Sequence, residues 1–189
     1  MNQFDHLQQK NRDVPEHHDA LSESDWGEEE DQLTVAVNRR DVRMRVMQAL
    51  YAGDIGEIAG GADMDLLAAR LVSAYLEGRA DLQEFALSLL RRAWNNRESC
   101  DDVITKLAEN WDFNRITPID KAVLRMGIAE LLYFPDIPTR VTINEAIEIA
   151  KMFSTDKSGV FINGMLDAAV DMLKKADRLQ KSGRGLLEE

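Results

Sequence analysis

Apolar side chains recur with the spacing of an α-helix from residue 38 to about residue 179, and this periodicity constrains the fold more than any other feature. In the first segment, Val42, Val46, Ala49 and Leu50 lie at positions i, i+4, i+7 and i+8, on one side of a helix. Glycine and proline residues separate further segments of this kind, and none of them alternates polar and apolar residues as a strand does. The sequence therefore predicts an all-α fold of about seven helices.

Capping residues predict where several of these helices begin. Serine, threonine, asparagine and aspartate favour the position before a helix, because their side-chain oxygens accept hydrogen bonds from its first free amides. Pro118 supports one such start, since proline has no amide and fits the first turn. The predicted caps are Asn38, Asp63, Thr117, Thr142 and Ser158.

The negative charge of the chain is concentrated near its amino terminus. Residues 1–38 carry ten acidic and two basic groups, a net charge of −8 out of −11 for the whole chain. Residues 1–36 also lack an apolar period, which predicts a disordered acidic extension. The remaining sequence is nearly balanced in charge and can therefore hold a local basic patch. Residues 182–189 are predicted to form a flexible tail.

Several functional classes are disfavoured by what the sequence lacks. No stretch approaches the roughly 18 apolar residues of a membrane helix, and the amino terminus does not resemble a signal peptide, so we expect a cytoplasmic protein. Cys100 is the single cysteine, and His6, His17 and His18 all lie in the acidic extension. There is no glycine-rich phosphate loop. We therefore predict no enzymatic activity, no cofactor and no metal site.

A cluster of arginines in the first predicted helix is the most informative functional feature. With Val42 set at zero on a helical projection, Arg39, Arg43 and Arg40 lie at about 60°, 100° and 160°, along one flank. Arginine suits RNA, because its planar fork pairs with phosphate oxygens and its face stacks on bases. The alternative is a solvated helix face whose charges are balanced by neighbours such as Asp41. Spacing alone leaves both interpretations open.

The arginine cluster and the residues that follow it resemble the first helix of the NusB family. The similarity includes the sequence Gln48-Ala49-Leu50-Tyr51 after the arginines. Longer and more specific blocks follow in the family's order, and the resemblance extends from about Arg39 to Leu179. These blocks are residues 120–125 (DKAVLR), 136–138 (DIP), 141–151 (VTINEAIEIAK) and 161–167 (FINGMLD).

The resemblance implies a non-enzymatic, RNA-binding adaptor with two helical subdomains, at about residues 37–97 and 98–181. Together with the ribosomal protein NusE, such an adaptor binds the single-stranded boxA element of ribosomal-RNA leader transcripts. The pair acts in an antitermination complex that helps RNA polymerase to read through terminators. The acidic extension has no counterpart in this resemblance, and we expect it to temper RNA binding.

The resemblance also implies which residues form the binding sites. An exposed aromatic ring beside a cationic side chain suits single-stranded RNA, because every base offers a face for stacking. Core packing remains the alternative for both aromatic residues of the proposed site, Tyr51 and Phe161. By position, the RNA contacts are Arg39, Arg40, Arg43, Tyr51, Lys157 and Phe161. The candidate NusE contacts are Arg115, Asp120 and Lys121.

Other motif residues are predicted to be structural. Arg125, Asn163 and Asp167 can form a buried polar network that joins the last three helices. A different function also remains open, because the chain is acidic and Asp41 lies within the arginine cluster. In this alternative, the protein is a NusB-fold module for protein–protein interaction with weak or lost RNA binding. The sequence leaves open whether the protein is a monomer or a homodimer.

Overall fold

The computed structural model describes residues 37–58, 60–108 and 113–186 of the chain. Within these ranges the backbone forms seven α-helices and no strand, so the predicted all-α class is confirmed. None of these helices is long and apolar enough to span a membrane. The helices are α1 (Arg39–Ile55), α2 (Gly61–Ala68), α3 (Ala80–Asn95), α4 (Arg97–Leu107), α5 (Pro118–Tyr133), α6 (Thr139–Phe153) and α7 (Ser158–Lys175). A π-helical turn extends α2 at Ala69–Ser73, and 3-10 turns form at Phe113–Arg115 and Gly183–Leu186.

Two of the predicted helix caps are confirmed. The side chain of Asn38 accepts hydrogen bonds from the amides of Arg40 and Asp41, and the Asp41 carboxylate accepts one from the amide of Asn38. This reciprocal pair is a capping box at the start of α1. At the start of α5, the hydroxyl of Thr117 accepts a hydrogen bond from the amide of Asp120 at 3.1 Å. Local sequence is sufficient to begin both helices.

The other three predicted caps are wrong. Helix α2 begins at Gly61, two residues before Asp63, and α6 begins at Thr139, three residues before Thr142. Ser158 is the first residue of α7 rather than the residue before it. Thr142 and Ser158 are both buried, and their hydroxyls donate to carboxylates on α5. The two hydroxyl groups that were predicted to cap their own helices therefore hydrogen bond to side chains of another helix.

Helix α5 is the centre of the fold. Every residue from Ala122 to Leu131 is buried, which is expected of a helix that is enclosed by other helices. It packs against α1, α3, α4, α6 and α7. At Gly127 an added Cβ would lie 3.1 Å from the side chain of Leu166, so glycine permits the close approach of α7. The division into subdomains near residue 97 stays a prediction, since α5 contacts helices on both sides of it.

Of the two predicted terminal segments, the structure describes only residues 182–186. The acidic extension, residues 1–36, lies outside the described residues. The flexible tail at residues 182–189 stays a prediction; in the part of it that the structure describes, residues 182–186 pack against the loop between α5 and α6. The amide of Ser182 donates to the carbonyl of Pro135 at 2.9 Å, and the amide of Gly185 donates to the carbonyl of Ser182 at 2.9 Å. Residues 187–189 lie outside the described residues.

The buried network predicted around Arg125 has other members. Arg125 donates from Nε and Nη2 to the carboxylate of Asp101 on α4, at 2.7 Å each, and from Nη1 to Asp54 on α1. Asn163 and Asp167 are exposed and hydrogen bond to each other at 3.1 Å. Arg125 therefore joins α5 to α1 and α4, whereas the prediction placed it against α7.

Cys100 on α4 is expected to be nearly unreactive in the folded protein. The thiol is fully buried, and burial raises its pKa to about 12 from an ordinary value of 9.0. At pH 8 the thiolate population then falls by about a thousandfold relative to an exposed cysteine, and the thiolate is the reactive form. We expect a chromogenic disulfide reagent to modify Cys100 rapidly in guanidinium chloride and very slowly in buffer. Equal rates in both solvents would contradict the buried position.

Candidate nucleic-acid interface

An open cleft of about 690 Å³ lies at the amino-terminal end of α1. Its walls come from the first turns of α1, the loop between α5 and α6, the first half of α6 and the carboxy-terminal 3-10 turn. Four arginines and two carboxylates are among the lining residues, so cations predominate. The charged lining residues are Arg39, Arg40, Arg43, Arg184, Asp136 and Glu145.

Arg39 is the α1 arginine with the most freedom to bind an anion. Its side chain is exposed, and its guanidinium carbon lies 4.8 Å from the centre of the Phe85 ring on α3. This stacking orients the guanidinium without using its hydrogen-bond donors. Within the described residues, no carboxylate forms an ion pair with Arg39. The donors of Arg39 are therefore available to a phosphate group.

Arg40 faces solvent but already has an acidic partner. Its Nε and Nη2 atoms donate to the two carboxylate oxygens of Glu145 on α6, at 2.8 and 2.9 Å. This hydrogen bond, together with the charge of Glu145, raises the pKa of Arg40. The Arg40 side chain is 44% exposed, so the pair lies at the surface, where such pairs are weak. A phosphate can compete for Arg40 at little cost.

The prediction that Arg43 contacts RNA is not supported, because the side chain is buried. Only 3% of Arg43 is exposed, and its Nε and Nη2 atoms donate to the carboxylate of Glu130 on α5 at 2.7 and 3.0 Å. Its Nη1 atom donates to the carbonyl of Arg39 at 3.3 Å, and the hydroxyl of Thr142 donates to Glu130 at 2.7 Å. Every guanidinium nitrogen is thus occupied. Arg43 supports the first turn of α1 from within.

The helical projection contained a sign of this burial. Arg43 lies at about 100°, close to the position of the buried Leu50 at about 80°, whereas Arg40 lies further round at about 160°. The projection could not show the carboxylate that compensates the buried charge. Glu130 lies 87 positions later in the chain.

Helix α6 connects the cleft to the start of α7, where other RNA contacts were predicted. Next along this helix, Glu148 forms an ion pair with Lys151 at 2.8 Å. The hydrogen bond from Lys151, and to a lesser degree the charge of Arg40, lowers the pKa of Glu148. The aliphatic part of Lys151 lies against Gly159, where an added Cβ would be 3.2 Å away. Charged side chains thus continue from Arg40 to the first turn of α7.

The two residues predicted at the start of α7 differ in exposure. Lys157 is exposed, whereas Phe161 is half-buried and packs against the hydrophobic core. Phe161, one helical turn after Lys157, is therefore partly accessible, and its packing anchors the helix.

Tyr51 lies on the surface of α1. Its side chain is 36% exposed, which excludes the alternative that it is a core tyrosine. On the helical projection it lies about 20° from Arg40, at a distance of about 16 Å along the axis. Arg40 and Tyr51 therefore share one face of α1.

The three predicted NusE contacts have different surroundings. Arg115 is exposed, and Lys121 is half-buried with its Nζ atom 4.3 Å from the centre of the Phe113 ring. Asp120 is only 5% exposed and accepts a hydrogen bond from the hydroxyl of Ser158 at 3.1 Å. The prediction that Asp120 contacts a partner is therefore not supported. Its carboxylate joins α5 to α7 inside the protein.

Sequence reasoning missed three side chains of this surface. Glu145 and Glu148 had no predicted role beyond their place in the family-like block 141–151, and Arg184 lies in the segment that was predicted to be a flexible tail. No local pattern reveals these roles, because each depends on a neighbour that is distant in sequence. In the described part of the chain, no cluster of three or more His, Cys, Asp or Glu side chains could hold a metal ion.

Together these features define a class of protein. The scaffold is entirely helical, and an arginine-lined cleft opens at one helix terminus. Charged and aromatic side chains extend from it along two neighbouring helices. A basic, partly aromatic surface of this kind is typical of proteins that bind nucleic acids.

Comparison with known proteins identifies the family. The sequence model of the NusB family matches residues 40–171. The transcription antitermination protein NusB of Salinibacter ruber is 43% identical over 150 residues, which cover 79% of this chain and 91% of that protein. NusB of Chloroherpeton thalassium is 40% identical over 152 residues, 80% of this chain and 70% of that protein. The chain belongs to the NusB family, whose members are transcription antitermination factors and not enzymes.

Solved structures show the same fold. NusB from T. maritima matches with a TM-score of 0.64 and 33% identity, covering 71% of this chain and 92% of that chain. A chain in the crystal structure of antitermination factors NusB and NusE in complex with dsRNA matches with a TM-score of 0.62, covering 71% of this chain and 96% of that chain. Its identity is 23%, so this second similarity establishes the fold alone.

Proposed function

We propose that this protein binds, together with NusE, the boxA element of ribosomal-RNA leader transcripts and so supports read-through by RNA polymerase. The cleft with exposed Arg39 and Arg40 at the start of α1 carries this proposal. Its family membership supports it, and so does the existence of a related complex of NusB, NusE and RNA.

The proposed path of the RNA begins at the cleft. Arg39 offers a guanidinium that the Phe85 ring holds in place. Arg40 offers a second guanidinium, for which a phosphate competes with Glu145. From Arg40 the strand follows α6 to Lys157 and Phe161, where a base stacks on the accessible part of the ring. Tyr51 offers a second stacking surface on α1.

The proposed NusE surface lies around the start of α5. Arg115 is exposed there, and Lys121 and Phe113 form a cation–π pair beside it. Such a pair provides an apolar area with a positive charge at its edge. Asp120 supports this surface from inside the protein, because its hydrogen bond with Ser158 joins the first turn of α5 to the first turn of α7.

A second candidate function is a NusB-fold module for protein–protein interaction with weak RNA binding. The ion pairs of two arginines favour it, since Arg43 is neutralised by Glu130 and Arg40 by Glu145. Glu148 adds a further negative charge near Arg40. The two candidates differ in how strongly the isolated protein binds boxA RNA.

Changing Arg39 and Arg40 together to Ala is expected to weaken boxA binding by at least tenfold at about 0.1 M salt. The slope of log affinity against log salt is negative, and each phosphate contact contributes about 0.7 to its magnitude for single-stranded RNA, so the loss of two contacts should make the slope about 1.4 less steep. Fluorescence anisotropy with labelled boxA RNA across a salt series, with and without NusE, measures both quantities. Arg43 is left unchanged, because its removal would disturb the core.

The matched control changes Arg70 and Arg91 to Ala. Both arginines are exposed and lie outside the cleft, so the net charge changes equally. We expect this control to bind boxA RNA as the parent does. If the parent itself failed to bind boxA RNA even with NusE, or if both double variants bound equally well, the proposed function would be wrong.

A further inference from the structure

We propose that Arg184, carried by the carboxy-terminal 3-10 turn, is a further RNA-phosphate contact that completes the cleft at the start of α1. This inference rests on the proposed function and extends it to a residue beyond the 40–171 range matched by the family model. Arg184 lines the same cleft as Arg39 and Arg40, although it is 144 positions from Arg40 in the sequence.

The turn that carries Arg184 is held in place by hydrogen bonds from the two residues that precede it to the loop between α5 and α6. The amide of Ser182 donates to the carbonyl of Pro135, and the Nζ atom of Lys181 donates to the carbonyl of Phe134 at 3.2 Å. Gly183 has a φ of +54°, a conformation that L side chains rarely adopt. These contacts fix the turn against the loop between α5 and α6, which forms another wall of the cleft.

The position of this turn depends on glycine at residue 185. It is buried, and a Cβ built at this position would lie 2.1 Å from the carbonyl oxygen of Pro135. Because that oxygen belongs to the backbone, no small side-chain movement can relieve the clash. The turn therefore reaches its position only with glycine at residue 185, and Arg184 reaches the cleft with it.

Arg184 has no acidic partner among the described residues. The side chain is exposed, and among the described residues no carboxylate forms an ion pair with it. Within the cleft, Arg40 is paired with Glu145 and Arg43 with Glu130, so Arg39 and Arg184 are the lining arginines that form no ion pair with any described residue. Asp136 also lines the cleft and keeps its local charge moderate.

These observations favour a polyanion over an acidic side chain as the ligand. Two guanidiniums on different walls of an open cleft, neither in an ion pair with a described residue, suit successive phosphates of a single strand, and each fork can donate hydrogen bonds to two phosphate oxygens. A contact to phosphate fixes the position of the strand without reading its sequence. Arg184 therefore increases affinity for RNA in general and does not add specificity for boxA.

The test compares Arg184→Ala with the parent in full-length protein, using boxA RNA and an unrelated single-stranded RNA of equal length. We expect both RNAs to bind about 3–10-fold more weakly at about 0.1 M salt. The negative slope of log affinity against log salt should become about 0.7 less steep. Gly185→Ala should cause a loss of the same size, because it displaces the turn. The double variant should be no weaker than either single variant, since both remove one contact.

Arg178→Ala is the charge-matched control. Arg178 is exposed, lies outside the cleft and acts electrostatically on Cys100, so its loss should leave RNA binding unchanged. Equal binding by Arg184→Ala and Arg178→Ala would overturn this inference. A loss confined to boxA RNA would also overturn it, because a phosphate contact affects both RNAs.

The outcome for the parent separates this inference from the proposed function. If the parent binds boxA RNA and the change of Arg39 and Arg40 weakens it while Arg184→Ala does not, only the role of Arg184 is wrong. If the parent binds neither RNA, the proposed function fails, and the role of Arg184 fails with it.

Discussion

Glu130→Gln is expected to lower the free energy of unfolding by about 3–5 kcal/mol, because it leaves a buried guanidinium without its counter-charge. Glu130 is 1% exposed and accepts two hydrogen bonds from Arg43 and one from Thr142. Glutamine keeps the shape but presents an amide group to the donors of Arg43. A loss of this size is a large part of the 5–15 kcal/mol that typically stabilises a domain. Chemical denaturation followed by circular dichroism measures it.

Glu145→Gln is the matched control, since it makes the same change in a surface pair of the same geometry. Glu145 binds Arg40 through two hydrogen bonds, but the Arg40 side chain is 44% exposed. We expect a loss of about 0–1 kcal/mol. Similar small losses in both variants would refute a dependence of Arg43 on Glu130.

A double replacement keeps this prediction testable if Glu130→Gln does not fold. Changing Arg43 to Met and Glu130 to Leu removes both charges and retains most of the volume. A buried ion pair replaced by apolar residues often costs little, so we expect this variant to fold and to be more stable than Glu130→Gln. The opposite order of stability would show that the unpaired charge is not the cause of the loss.

Arg125→Met is expected to cost about 2–3 kcal/mol, the second-largest effect on stability. Arg125 is 8% exposed, and its guanidinium neutralises Asp54 from α1 and Asp101 from α4. Without it, two carboxylates face each other at the junction of three helices. Their side chains are about a quarter exposed, so water compensates part of the loss. The midpoint of guanidinium-induced unfolding gives the measurement.

Two controls define the cause of this loss. Arg91→Met removes an exposed arginine that lies 3.5 Å from Asp65, and we expect almost no change in stability. In a background with Asp54→Asn and Asp101→Asn, the further change Arg125→Met should cost much less than it does in the parent. An unchanged cost in that background would indicate that Arg125 stabilises the fold through packing rather than charge.

Helix positions could be predicted largely from the sequence, because periodicity and capping act within one or two turns. Asn38 and Thr117 cap α1 and α5 as predicted. Thr142 and Ser158 have the same types of side chain in similar patterns, yet their hydroxyls donate to Glu130 and Asp120 on α5. A buried carboxylate competes with local capping, and its position is not encoded in neighbouring residues.

The candidate site also depends on contacts that neighbouring residues do not encode. Sequence by itself determined which segments are helical, which helix carries the arginine cluster and to which family the chain is similar. Tertiary structure alone decided that Arg39 and Arg40 face the cleft while Arg43 is buried on Glu130. It also decided that Arg184 joins them from the carboxy-terminal turn. The physical reason is that exposure and charge pairing depend on residues that are distant in sequence and adjacent only after folding.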